Sequence, residues 1–133
     1  MQKLFFTFLV YLLATVPAFA QKKTTYPVVI TFNSMCCGVP SDEPLMKMVQ
    51  RFKKQYKIKK LSADRIGPMG REGEYWLAFG LKELSKTQRV LFIKQLKKTA
   101  ATMTDKGTAE VKENETVDRA ELSGATTVSI MKF

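Results

Sequence analysis

The chain has 133 residues, with 22 Lys and Arg against 12 Asp and Glu, two cysteines and no histidine. That length holds one domain. Without histidine a Ser-His-Asp triad, a Cys-His pair, an H-E-x-x-H zinc site and a histidine proton shuttle are all excluded.

The first twenty residues carry one cation, Lys3, then an apolar run over 4–14, then Pro17 and the small-residue triplet Ala18-Phe19-Ala20. This pattern reads as a secretory signal peptide over 1–20, cleaved after Ala20. The apolar run is shorter than the roughly 20 residues that span a bilayer. No later stretch approaches that length, so the expected product is an exported, periplasmic or secreted chain without a transmembrane segment. Residues 21–133 form the single domain, and their size needs no disulfide framework.

After a polar leader, 26–33 (Tyr-Pro-Val-Val-Ile-Thr-Phe-Asn) is rich in β-branched and aromatic residues and predicts a strand. A loop follows, Met35-Cys36-Cys37-Gly38-Val39-Pro40, and then Ser41-Asp42-Glu43-Pro44 supplies a cap, first-turn acids and an early proline for a helix. Leu45, Met48, Val49, Phe52 and Tyr56 recur at helical spacing, which ends the helix near Lys57. A weaker alternation over 58–66 and an apolar run over 74–81 flank Gly67-Pro68-Met69-Gly70-Arg71-Glu72-Gly73, a hairpin with a long loop. Ser85-Lys86-Thr87-Gln88 fits a capping box, and the apolar spacing from Val90 to Met103 predicts a second helix to about Thr104. Two β patterns remain, near 108–112 and over 126–133, within and after a less regular acidic segment at 105–125.

The order strand, helix, strand, strand, helix, strand predicts an α+β, ferredoxin-like fold, β-α-β-β-α-β, with two helices on one face of an antiparallel sheet and one strand to spare near the C-terminus. The right-handed crossover rule places the third strand between the first two. The cysteine loop and the glycine-rich bend should therefore share one end of the molecule, and the connection after the second helix should arrive there too.

In element order and in the position of its cysteine loop, the chain resembles heavy-metal-associated domains. The resemblance covers only the loop, and Met35-Cys36-Cys37-Gly38 lacks the spacers of the family's M-x-C-x-x-C motif. It implies Cys36 and Cys37 as ligands for a soft metal ion. The residues themselves leave the choice open. Met35 and Met69 with the two thiols suit Cu(I), and Arg71 and a helix N-terminus could favour a thiolate. Yet free cysteines often serve as buried small hydrophobes, and export favours their oxidation. Glu72 and Glu74, with Asp64 and Glu83, form a nominal carboxylate set, but alternate residues of a hairpin arm usually face solvent.

Residues 47–60 hold seven cations and no acid. Lys53, Lys54, Lys57 and Lys60 are the candidates there for an anionic lipid or glycan surface. Nucleic acid is disfavoured by the leader and by the absence of a base-stacking motif. Asn114-Glu115-Thr116 is a glycosylation sequon only if export passes through an endoplasmic reticulum. The sequence reading is a non-enzymatic binding module, with Met35, Cys36, Cys37, Met69, Arg71, Glu72 and Glu74 at its working end and a protein or an anionic surface as partner. A thiol-based metal or redox protein is the rival, and a free strand edge or thiol would allow a dimer.

Overall fold

A computed structural model describes residues 23–122, 124 and 126–133; the predicted leader over 1–20 lies outside them. The chain runs β1 (Lys23–Ser34), α1 (Glu43–Tyr56), β2 (Ser62–Gly67), β3 (Tyr75–Phe79), α2 (Lys86–Ala100), β4 (Gly107–Asp118) and β5 (Thr127–Lys132). The five strands form one sheet in the order β4-β1-β3-β2-β5. Every neighbouring pair is antiparallel.

β1 forms because Val28, Val29, Ile30 and Phe32 are fully buried on its two faces, the signature of a central strand. α1 begins with Pro44 in its first turn and closes on Lys57 in the left-handed conformation, φ 54°, whose N–H bonds back to the carbonyls of Lys53 and Lys54. α2 carries the predicted capping box, with the Ser85 side chain accepting from the Gln88 N–H and the Gln88 side chain accepting from the Ser85 N–H. It ends at Ala100, four residues short of the expected Thr104. Two turn bonds, from Thr102 N–H to Thr99 and from Met103 N–H to Ala100, continue it and place Met103 in the core.

The main core lies between the sheet and the helices. Val28, Ile30, Phe32, Leu77 and Phe79 meet Leu45, Val49, Phe52, Phe92 and Leu96. Phe92 stands edge-on to both Phe52 and Phe79, at 5.2 and 5.3 Å. A smaller cluster, Tyr26, Val29, Ile66, Ala78 and Val117, includes no helical residue. Both helices thus cover one face. Together they hold nine lysines and arginines against one acid, Glu43, whereas β4 holds four acids against Lys112.

β4 departs from expectation. The sequence pattern stops near Lys112 and treats 105–125 as less regular, but β4 pairs with β1 from Gly107 opposite Ser34 to Asp118 opposite Lys23, interrupted only at Pro27, which has no N–H to donate, and Asn114, at φ 52°. The long β1 supplies ladder partners on either side of that break, so backbone hydrogen bonds hold a segment of which only Gly107 and Val117 are buried. β4 takes the edge beside β1, and β5 adds to the far edge beside β2. Phe133 ties that edge down. Its N–H donates to the Leu61 carbonyl at 3.0 Å, its ring lies 5.6 Å from Phe79, and its carbonyl accepts from the Lys53 ammonium. No helix among the described residues is long and apolar enough to cross a membrane.

Candidate functional site

Three connections meet at one end of the sheet. β1 leaves the ladder at Ser34, β3 enters it at Tyr75 opposite Phe32, and β4 starts opposite Ser34. The cysteine loop is fixed on both sides. Met35 N–H donates to Lys106 at 3.2 Å, and Ser41 N–H to the Asp105 carboxylate at 3.2 Å. Asp42 makes no side-chain cap bond to α1; its carboxylate accepts the Tyr75 hydroxyl at 3.0 Å. The Tyr75 ring stacks on Phe32 at 4.3 Å and carries the Arg65 guanidinium 3.5 Å over its centre. Burial, and then the charge of Asp42, raise the Tyr75 pKa.

Between those anchors the chain bends outward. Gly38 sits at φ +110°, a conformation that disfavours any other residue. Within this bend the Cys36 and Cys37 sulfurs lie 2.7 Å apart. Both cysteines are free and exposed, so they are not core hydrophobes. Met35 beside them is 75% exposed. The Cys36 thiol pKa is raised, first by the hydrogen bond with Cys37, then by desolvation, then by the charge of Glu72. The expected cationic help from Arg71 is therefore replaced by an acid acting on Cys36, and the thiol, not the thiolate, is favoured.

The glycine-rich bend folds on itself. Met69 N–H donates to the Glu74 carbonyl at 2.7 Å, and Glu72 N–H to the Glu74 carboxylate at 3.0 Å. Glu74 is thus spent on holding the bend, while Arg71 and Glu72 are exposed. Met69 packs on the helix-free face with Trp76, Leu122 and Val128, which separates it from the exposed Met35. Asp64 is bound to the Tyr26 hydroxyl, at 2.5 Å, and Arg119, so the nominal carboxylate set is dispersed. Among the described residues no three His, Cys, Asp or Glu side chains gather as a metal cage.

The basic candidates lie elsewhere. Lys53 is bound to Phe133, Lys57 closes the C-terminal end of α1, and Lys60 precedes β2, all at the pole away from the thiols; Lys54 is exposed on α1. The residues that position the cysteine loop, Asp42, Tyr75 and Asp105, escaped the sequence reading. Asp42 and Tyr75 were legible only as a helix cap and a strand residue, and Asp105 carried no signal. Comparison with family models, curated proteins and solved structures finds no match.

Proposed function

We propose that the protein is an exported, non-enzymatic binding domain of ferredoxin-like build that works through the dithiol at the Cys36–Cys37 turn. The pair of exposed sulfurs 2.7 Å apart, on a loop anchored at both ends, carries this reading. The strand order β4-β1-β3-β2 with both helices on one face supports the ferredoxin-like assignment, with β5 as an addition; the leader over 1–20 supports export.

Two thiolates and a neighbouring thioether form a soft donor set, which selects a thiophilic cation such as Cu(I) over hard ions. Uptake replaces two S–H bonds by two S–metal bonds and releases two protons to water. Affinity therefore rises with pH, and the raised pKa of Cys36 moves that rise to the alkaline side. Glu72 opposes the thiolate but attracts the bound cation.

Anaerobic titration of the processed chain with Cu(I), in competition with a chromophoric chelator, tests this. One ion per chain is expected, with binding lost in Cys36→Ser/Cys37→Ser. Absence of stoichiometric binding by the unaltered protein would overturn the proposal.

A further inference from the structure

The charge on the helical layer is not spread evenly. A groove of about 680 Å³ runs between α1 and α2, with Lys47 and Arg51 on one wall and Lys98 on the other. Gln55, Gln95 and Thr99 stand among these cations. Lys47 and Arg51 are four residues apart and thus stacked one turn above the other, about 5–6 Å between their β-carbons. Among the described residues neither Arg51 nor Lys98 is held in an ion pair. Lys47 pairs with Glu43 at 2.5 Å, but both side chains are about two-thirds exposed (69% and 67%), and such a pair yields readily to a competing anion.

We propose that this groove docks a linear polyanionic polysaccharide, one bearing sulfates or uronic acids. Cations at helix-turn spacing match anions repeated along a chain, and the amide and hydroxyl groups between them offer partners for sugar hydroxyls. A lipid surface fits less well. Val90 is the sole large apolar side chain strongly exposed on either helix among the described residues, and Phe52 is buried in the core, so no aromatic or aliphatic wedge is available to enter acyl chains. One acid of β4, Glu113, reaches the helical layer and pairs with Lys97, so that cation is already compensated, whereas among the described residues Arg51 and Lys98 in the groove are not.

The test is calorimetric titration of the full processed chain with a heparin-derived oligosaccharide, beside flotation with phosphatidylglycerol vesicles. Arg51→Gln/Lys98→Gln is expected to weaken oligosaccharide binding about tenfold, and Lys86→Gln/Lys94→Gln, which removes equal charge outside the groove, less than about threefold. Raising salt from roughly 0.05 to 0.5 M should weaken binding in the unaltered chain. Equal losses in the two variants, no oligosaccharide binding, or tighter binding to vesicles would each overturn the groove assignment. The proposal is independent of the dithiol, and Cys36→Ser/Cys37→Ser should leave the titration unchanged.

Discussion

Gly107 illustrates how a single hydrogen atom can be a structural requirement. A β-carbon there would run into the Asn33 carbonyl oxygen and crowd the Pro40 ring at 3.0 Å. Because the nearest obstacle is backbone, a rotamer change cannot relieve it, so Gly107→Ala should cost about 3 kcal/mol, read as a lowered urea midpoint. An unchanged midpoint would mean that β4 shifts freely. The backbone that forbids a side chain at Gly107 belongs to Asn33, 74 positions away in the chain, and left no local trace in the sequence. The cysteines were legible in the same partial way. Their place in a loop followed from Gly38 and Pro40, whereas the sign of the electrostatic effect on Cys36 depended on Glu72, rather than Arg71, exerting its field there.

At the level of elements, legibility followed the strength of local chemistry. The capping box of α2 is a four-residue signal, and the predicted bonds are present, at 2.9 Å to Ser85 N–H and 3.3 Å from Gln88 N–H. Ser85→Ala should therefore cost about 1 kcal/mol, measurable by denaturant unfolding, and Ser85→Asp should restore most of it; equal stability of the alanine variant would deny the cap its role. β4 was half legible for the opposite reason. Its ladder is made by backbone groups, which every residue possesses, while Glu110, Lys112, Glu113 and Asn114 stand exposed at the sheet edge and supply little apolar alternation. β5 read clearly as a strand, yet nothing in 126–133 stated which edge it would join. That choice belongs to its pairing with β2, from Ser62–Lys132 to Gly67–Thr127, and to the Phe133 contacts with Leu61 and Phe79.

For the whole molecule, the predicted meeting of the cysteine loop and the glycine-rich bend followed from topology alone, since antiparallel pairing of β3 with β1 and with β2 brings their connections to a common end. The same topology buries Tyr26 and Tyr75, whose pKa values are raised mainly by burial and also by Asp64 and Asp42 respectively. A folded-state value above the unfolded one, about 10, means that the native chain keeps these protons longer. Their contribution is intact below about pH 10 and is lost as pH climbs beyond it. The urea midpoint should accordingly fall on the alkaline side, and Tyr75→Phe should flatten that limb by up to one proton; an equally steep limb in the variant would rule Tyr75 out as a source.

The loop that carries the thiols leaves the sheet at Met35 and is caught again at Ser41, and the bonds at those two points use backbone groups and Asp105, not the residues between them. The intervening stretch is in effect an exchangeable cartridge in a fixed holder. Spacer residues inserted between Cys36 and Cys37 would alter reach and selectivity for a guest while the stacked ring pair of Phe32 and Tyr75 stayed seated.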